Sequence, residues 1–238
     1  MKVNDIIESA KDFVKDMMKN NDPSHDWYHV ERVYKNAIYI IEQENLLNNN
    51  QLNYDLEVIQ LASLFHDVVD FKYDFKENKS LDEIAKERLN LFFKKFDYPQ
   101  DKIDKIVYIV LNISWRKELE AGNKSNDLPI ELKVVRDADR LDAIGAVGVA
   151  RCLVFSGARD RPIYIEDQNP ILNMTAEQYN QQTIQNKSTA INHFYEKLLL
   201  IKDRMQTETG KKLAEQRHEF MISYLNQFHL EVNPTVVK

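Results

Sequence analysis

Length, composition and charge exclude several classes of protein. The chain has 238 residues, a net charge of −6, one cysteine and only five glycines. The acidic balance argues against binding to a nucleic-acid polymer through its phosphates. A lone cysteine excludes an intramolecular disulfide, the acidic amino-terminal segment is unlike a secretory signal, and the apolar runs are too short to span a bilayer. We therefore expect a cytoplasmic protein that does not bind membranes.

The spacing of apolar residues predicts an all-α fold. Apolar residues recur every three or four positions, and no strand pattern stands out. Ser24 or Asp26 can cap the second helix. The third helix is apolar on most faces, which is typical of a central helix. In the first half of the chain, the predicted helices cover residues 6–17, 26–45, 55–66, 80–96 and 100–113.

Two polar segments interrupt the helical pattern in the second half of the chain. Residues 114–129 contain a run of glycine, asparagine, lysine and serine, which predicts a long, mobile loop. Residues 156–173 contain Gly157, Pro162 and Pro170, which predict a second irregular stretch. This second stretch is a candidate interface for a homodimer.

Helical spacing also covers the rest of the second half. One helix is predicted from residue 130 to residue 155. Thr175 begins a sequence that resembles a capping box and opens a helical tail with a break near Gly210. We expect a single domain over residues 1–238, with a helical core at about residues 20–160 and a helical extension at about residues 175–230.

Three separated stretches carry residues that bind metals. They contain His29, the adjacent pair His66 and Asp67, and an acidic cluster with Asp137 and Asp139. Adjacent His and Asp in an apolar helix cannot both face solvent, so the buried one needs a polar partner. A divalent cation shared with another His and another carboxylate would provide that partner. The sequence therefore predicts a metal site.

Two imidazoles and two carboxylates form a borderline donor set. Such a set suits Mn²⁺, which we expect first, as well as Fe²⁺, Co²⁺, Ni²⁺ or Zn²⁺, and it also allows Mg²⁺. Four protein ligands leave an octahedral cation two open positions, for water and for a phosphate oxygen. The site is therefore suited to hydrolysis of a phosphate ester or anhydride.

The residues around these ligands resemble the HD superfamily of metal-dependent phosphohydrolases. The similar elements are Asp26-x-x-His29-x-x-Arg32-Val33, the run around His66-Asp67, and residues 137–142. The resemblance covers about residues 20–160 and implies a helical core with one bound divalent cation. Residues 138–146 are similar to a branch of small bacterial HD proteins that is associated with nucleoside triphosphate pyrophosphohydrolase activity.

The resemblance also decides between neighbouring candidate ligands. A second His-Asp pair, His25-Asp26, precedes His29. In the family the first ligand is followed three residues later by Arg-Val, and here His29 is the histidine at that distance from Arg32-Val33. Asp139 rather than Asp137 matches the family pattern Ala-Asp-x-Leu. The resemblance therefore implies the ligand set His29, His66, Asp67 and Asp139.

Further residues near the ligands are candidates for catalysis and substrate binding. Asp70 lies three residues after Asp67, where related hydrolases carry an acid, often Glu, that orients the attacking water; the alternative for Asp70 is a helix cap. Asp67 and Asp70 are the expected catalytic residues. Basic side chains near the site would bind a polyphosphate, although a surface salt bridge is the alternative for each. The expected substrate-binding residues are Arg32, Lys72, Lys76, Lys124 and Arg140.

Residues and resemblance together predict a nucleotide hydrolase. The expected reaction cleaves a ribo- or deoxyribonucleoside triphosphate to the monophosphate and pyrophosphate by metal-activated water. The expected partner is a small-molecule nucleotide. The alternatives are a nucleoside monophosphatase, a guanosine tetraphosphate hydrolase, and a non-catalytic module that senses metal or nucleotide.

Overall fold

The computed structural model describes residues 3–68, 80–121, 128–185 and 187–234. Within these ranges the secondary structure is helical and contains no strand, which confirms the all-α prediction. The chain divides into an amino-terminal unit, Met1–Asp139, and a carboxy-terminal unit, Arg140–Lys238. None of the described helices combines the length and the apolar character needed to cross a membrane.

The helices of the amino-terminal unit follow the predicted order. The first five each begin and end within a few residues of their predicted bounds, and a short additional helix follows the fifth. The described helices are α1 (Val3–Met18), α2 (Trp27–Leu47), α3 (Leu56–Phe65), α4 (Leu81–Phe93), α5 (Gln100–Asn112), α6 (Trp115–Ala121) and α7 (Ile130–Asp142), of which α7 crosses the division between the units.

Helix α3 lies at the centre of the amino-terminal unit, as its apolar sequence predicts. It packs against α1, α2 and α5. Its last residue, Phe65, is fully buried and its ring contacts those of Phe13, Phe92 and Phe93. Burial of such a ring contributes about 1.5–3 kcal/mol. The end of α3 is therefore held in the core, and His66 and Asp67 follow it directly.

Side-chain caps mark the start of three of these helices. Asp26 caps α2, because its carboxylate accepts a hydrogen bond from the His29 backbone N–H at 3.1 Å. Asp55 caps α3 in the same way, and Ser80 and Glu83 form a capping box at the start of α4. The start of α2 matters most for the site, because it places His29 in the first turn.

The carboxy-terminal unit contains four more described helices and two short 3₁₀ turns. Helix α8 packs against α10 and α11. The predicted capping box is confirmed, since the Gln178 N–H donates to Thr175 Oγ1 at 3.2 Å and the Thr175 N–H donates to Gln178 Oε1 at 2.9 Å. The elements are α8 (Gly145–Gly157), α9 (Ala176–Gln185), α10 (Ala190–Glu196), the 3₁₀ turns Leu198–Leu200 and Lys202–Arg204, and α11 (Glu208–Val232).

The single helix predicted over residues 130–155 is wrong. Helix α7 ends at Asp142 and α8 begins at Gly145. Gly145 has φ +75°, a left-handed conformation that glycine adopts without steric cost. A Cβ at this position would lie 2.9 Å from Arg217 Cβ. Glycine therefore allows both the break in the helix and the close approach of α11.

Two other boundaries also differ from prediction. Part of the predicted loop at residues 114–129 is helix α6, which begins where the Lys117 N–H donates to Ser114 Oγ at 3.3 Å; residues 122–127 lie outside the described ranges. The predicted break at Gly210 is wrong, because Gly210 lies in the first turn of α11 and its N–H donates to Thr207 Oγ1 at 3.0 Å. The tail instead breaks at the two 3₁₀ turns.

Candidate metal centre

The two histidines of the candidate site come from neighbouring helices. His29 lies in the first turn of α2, and His66 directly follows Phe65, the last residue of α3. Helices α2 and α3 pack against each other, and both imidazoles are buried. The two Nε2 atoms are 3.0 Å apart. Packing of the two helices therefore brings the distal nitrogens of both rings to one point.

The last turn of α3 sets the orientation of the His66 ring. His66 Nδ1 lies 2.8 Å from the carbonyl oxygen of Ser63. A carbonyl oxygen only accepts, so Nδ1 carries a proton and donates it. The last carbonyls of a helix lack a partner within the helix, and this bond satisfies one of them. In the neutral ring Nε2 then carries the lone pair, as a metal ligand requires.

Asp67 and Asp139 bring carboxylates to the two imidazole nitrogens. Asp67 Oδ2 lies 3.3 Å from His29 Nε2 and 3.5 Å from His66 Nε2. Asp139 Oδ1 lies 3.6 Å and 3.8 Å from the same two atoms. A cation with bonds of about 2.1 Å holds neighbouring ligand atoms about 3.0 Å apart at right angles and about 3.4 Å apart in a tetrahedron. The observed separations fit ligands that share one cation.

The charges at the site also fit a cation. Burial alone would lower the pKa of His66, but the Asp67 and Asp139 carboxylates outweigh it and raise the pKa to about 9. Burial alone would raise the pKa of Asp67, but the His66 and His29 imidazoles hold it well below its usual value. Two Nε2 lone pairs at 3.0 Å repel unless a proton or a cation lies between them.

The structure brings together all four residues of the predicted ligand set. Ligand atoms of His29, His66 and Asp139 lie within 4.8 Å of one another, and Asp67 contacts both imidazoles. Asp137, the alternative to Asp139, is fully buried in the same helix and is not part of this group. Of these two carboxylates, Asp139 is therefore the one that lies beside both imidazoles.

The predicted substrate-binding residues have different surroundings. Arg32 follows His29 by three residues in α2 and so lies on the same side of the helix. Arg140 is buried, and its Nη1 donates to the Arg204 carbonyl at 2.7 Å, so part of its guanidinium is already engaged. Four predicted site residues lie outside the described residues: Asp70, Lys72, Lys76 and Lys124.

Two residues that support the site were not predicted. Arg88 of α4 donates from Nη1 to the Val68 carbonyl at 2.6 Å, directly after the His66-Asp67 pair. Asn36 of α2 donates from Nδ2 to the Ala138 carbonyl at 3.4 Å, next to Asp139. Asn36 lies seven residues after His29, and that helical spacing could have identified it. Arg88 reaches from another helix, and no local pattern indicates it.

Known proteins resemble this chain along nearly all of its length. A model of the HD domain family matches residues 26–144. The Bacillus subtilis protein YpgQ is 33% identical over 225 residues, which cover 94% of this chain and 93% of YpgQ. The crystal structure of YpgQ in complex with ADP has a TM-score of 0.69 to this chain, at 32% identity and with full coverage of both chains.

Two further crystal structures show the same similarity. One, from Lactobacillus plantarum, has a TM-score of 0.79 at 30% identity and covers 97% of this chain and 98% of its own. The other, an HD-superfamily hydrolase from Bacillus thuringiensis, has a TM-score of 0.69 at 31% identity and covers 98% and 100%. The family match includes all four converging residues. The chain belongs to the HD superfamily of metal-dependent phosphohydrolases.

Proposed function

We propose that this chain hydrolyses nucleoside triphosphates to monophosphates and pyrophosphate, with a divalent cation held by His29, His66, Asp67 and Asp139. The observation that carries the proposal is the convergence of two buried imidazole nitrogens and two partly exposed carboxylates at one point. The cation would polarise a phosphoryl oxygen and lower the pKa of the attacking water. Mn²⁺ is the cation expected first.

The charge of the ligand set indicates what else the site needs. Asp67 and Asp139 bring two negative charges, which balance a divalent cation, while the imidazoles are neutral ligands. The negative charge of a triphosphate must then be balanced by basic side chains. Arg32, on the same side of α2 as His29, is the described candidate. Lys72, Lys76, Lys124 and Arg140 are proposed for the same role from the sequence alone.

Two further points support a nucleotide substrate and a water nucleophile. YpgQ binds ADP in its crystal structure, which supports a nucleotide ligand for this relative of YpgQ. Asp70 follows Asp67 by three residues, and we assign it to orient the attacking water. A carboxylate in this role must come within hydrogen-bond distance of that water.

A product assay tests the proposed reaction. The protein is incubated with Mn²⁺ and a panel of ribo- and deoxyribonucleotides that includes monophosphates and guanosine tetraphosphate. Pyrophosphate and a monophosphate from triphosphates are expected. If only monophosphates are cleaved, to orthophosphate, the protein is a nucleoside monophosphatase. If only guanosine tetraphosphate is cleaved, to pyrophosphate, it is a guanosine tetraphosphate hydrolase. Bound Mn²⁺ without turnover of any nucleotide would contradict catalysis and favour a sensing module.

A double substitution ties the reaction to the site. His66→Ala with Asp67→Ala should abolish both metal binding, measured by elemental analysis, and turnover. The matched control is His193→Ala with Asp12→Ala, which removes one His and one Asp far from the four ligands in sequence and should retain both properties. Full activity of the His66/Asp67 variant would contradict the assignment.

A further inference from the structure

A highly exposed aromatic side chain lies next to one of the proposed metal ligands. Tyr28 directly precedes His29 in α2, and it is 64% exposed, more than any other large apolar or aromatic side chain in the described ranges. Within those ranges the Tyr28 side chain has no hydrogen bond and no ring contact. Single exposed aromatic side chains are common on protein surfaces. The exposure of Tyr28 therefore gains meaning only from its position.

His29 lies at the edge of the buried face of α2. At about 100° per residue, the other buried positions of this helix all lie on one side of His29, within about 20–120° of it. They are Val30, Val33, Ala37, Ile40, Ile41 and Glu44. On the other side, Arg32 lies about 60° and Tyr28 about 100° from His29. The side of α2 that leads from the metal ligand to solvent therefore carries Arg32 and Tyr28.

The candidate metal centre is open to solvent at its carboxylates. The side chains of Asp67 and Asp139 are 22% and 32% exposed, whereas those of His29 and His66 are each 1% exposed. A small molecule can therefore reach the centre from outside without displacing the imidazoles. The part of that molecule that does not fit at the cation must then lie on the surface beside the centre.

The position of Tyr28 suits the dimensions of a nucleotide. Side chains that extend about 7 Å from a helix axis and lie about 100° apart have their ends about 11 Å apart. In a nucleotide the sugar separates the base from the phosphates, and a base stacks on an aromatic ring at about 3.5–4 Å. A nucleotide with its phosphates at the cation can therefore bring its base to the Tyr28 ring. Arg32 lies between Tyr28 and His29 around the helix, where it can bind the phosphates.

We propose that Tyr28 is a substrate-binding residue whose ring stacks on the base of the nucleotide. The proposal rests on the proposed nucleotide hydrolysis and adds the residue that contacts the base. Stacking uses the face of a base and not its hydrogen-bonding edge, so it accepts every base and favours the larger purine rings. Tyr28 therefore contributes affinity for nucleotides over inorganic polyphosphates without selecting a single base.

Direct binding of an uncleaved nucleotide tests the stack. Adenosine 5′-(α,β-methylene)triphosphate cannot be hydrolysed between its α- and β-phosphates, and calorimetric titration gives its Kd with the Mn²⁺-loaded protein. Tyr28→Ala should bind it about tenfold more weakly than wild type. Tyr28→Phe keeps the ring and should bind as wild type does, whereas Tyr28→Leu keeps only apolar area and should lose most of the affinity. Equal affinities of the Phe and Leu variants would overturn the stack.

Two further ligands show which part of the nucleotide Tyr28 contacts. Inorganic tripolyphosphate has the phosphate chain without sugar or base, and Tyr28→Ala should bind it as wild type does. The uridine analogue has a smaller base, and its loss of affinity in Tyr28→Ala should be smaller than that of the adenosine analogue. A loss for tripolyphosphate as large as for the nucleotide would place the effect at the phosphates or the cation. Equal losses for adenosine and uridine would place it at the sugar. Either result would overturn the inference.

Tyr39 provides a matched control in the same helix. It is 48% exposed and lies on the same side of α2, but about 16 Å further along the helix axis. Tyr39→Ala should bind the adenosine analogue as wild type does. Bound Mn²⁺, measured by elemental analysis, should be unchanged in every Tyr28 and Tyr39 variant. If Tyr39→Ala loses as much affinity as Tyr28→Ala, or if Tyr28→Ala loses Mn²⁺, the contact with the base is excluded.

The outcomes also separate this inference from the proposed function. Unchanged affinity of Tyr28→Ala for the adenosine analogue, with turnover by wild type, would exclude the stack and leave the proposed hydrolysis intact. A wild type that binds the analogue but cleaves no nucleotide would overturn the hydrolysis, and weaker binding by Tyr28→Ala would still support the stack. A wild type that binds no nucleotide would overturn both.

Discussion

Carboxylates that are buried or half-buried occur in both units of the chain, but their partners differ. In the carboxy-terminal unit Glu196 is buried. Its Oε1 accepts hydrogen bonds from the Ile171 N–H at 3.1 Å and from Gln182 Nε2 at 2.9 Å, and its Oε2 accepts one from Ser188 Oγ at 2.8 Å. Each donor brings its own proton. The charge of Glu196 is therefore satisfied by neutral groups, as a structural role requires.

In the amino-terminal unit, Asp67 and Asp139 face imidazole nitrogens instead. A neutral imidazole offers a lone pair at Nε2 when Nδ1 carries the proton, as in His66. Such a nitrogen cannot satisfy a carboxylate until a proton or a cation lies between them. Low solvent exposure of an acid therefore does not by itself mark a functional site. The chemistry of the groups that face the acid does.

The largest difference between the two carboxylate clusters should appear in turnover. His66→Ala should lower kcat/KM by about a thousandfold or more, because a divalent cation supplies several kcal/mol of transition-state stabilisation. Glu196→Ala should leave the turnover per folded molecule near that of wild type. Steady-state assays at saturating Mn²⁺ measure kcat/KM of both variants. Equal losses would contradict the difference between the two carboxylate clusters.

The pH dependence of stability should differ with the metal content. The pKa of His66 is raised from 6.5 to about 9 by the carboxylates around it. Protonated His66 therefore stabilises the metal-free protein fully below pH 6.5, and this contribution, on the order of 3 kcal/mol, is lost as the pH rises through about 9. The lowered pKa of Asp67 acts only at acidic pH, where its contribution is lost as the pH falls.

Urea unfolding below pH 6.5 and above about pH 9 measures this change in the free energy of unfolding. The metal-free wild-type protein should become less stable as the pH rises, and the Mn²⁺-loaded protein should not. His66→Gln should show a flatter profile when metal-free. A metal-free wild type that gains stability with rising pH would contradict the charge distribution described for the site.

Loss of the structural carboxylate should affect stability and not metal binding. Glu196→Ala leaves the donors of Ser188, Gln182 and Ile171 without their common acceptor. The free energy of unfolding should fall by about 2–3 kcal/mol, since bonds to a charged acceptor are lost. Urea unfolding measures this, and elemental analysis should find unchanged Mn²⁺. Loss of bound metal in this variant would show that the two carboxylate clusters are coupled.

A smaller effect, on Mn²⁺ affinity, is expected from the hydrogen bond between Arg88 and the backbone next to Asp67. Arg88→Met keeps the apolar stem of the side chain and removes the donor to the Val68 carbonyl. Groups that orient ligands without touching the metal typically change affinity by 10–100-fold, and we expect a loss of about tenfold in Mn²⁺ affinity. Calorimetric titration measures it. Unchanged affinity would show that the turn after Asp67 holds its shape without Arg88.

Much of the fold follows from local sequence patterns. Apolar spacing predicted α1 to α5, and capping residues such as Asp26 and Thr175 located two helix starts. The sequence did not indicate which conformation Gly145 adopts, and its close approach to Arg217 involves a helix far away in sequence. Gly210 misled the prediction, since a glycine in the first turn of a capped helix costs little.

For the site, the sequence indicated the ligands but not the hydrogen bonds that hold the residues around them. The spacing of His and Asp residues and the family resemblance indicated four residues, which the structure brings together. Contacts to backbone carbonyls were not predictable, because a carbonyl carries no sequence signal. The bonds of Arg88 to Val68 and of Arg140 to the Arg204 carbonyl are of this kind.

Whether these four side chains hold one divalent cation is tested most directly by titrating the metal-free protein with Mn²⁺ and following the bound ion by electron paramagnetic resonance. Wild type should bind one Mn²⁺ per chain at this site. His29→Ala, His66→Ala, Asp67→Ala and Asp139→Ala should each lose it, while His25→Asn and Glu196→Gln should retain it. Wild type that binds no Mn²⁺, or four ligand variants that bind it as tightly as wild type, would contradict the account.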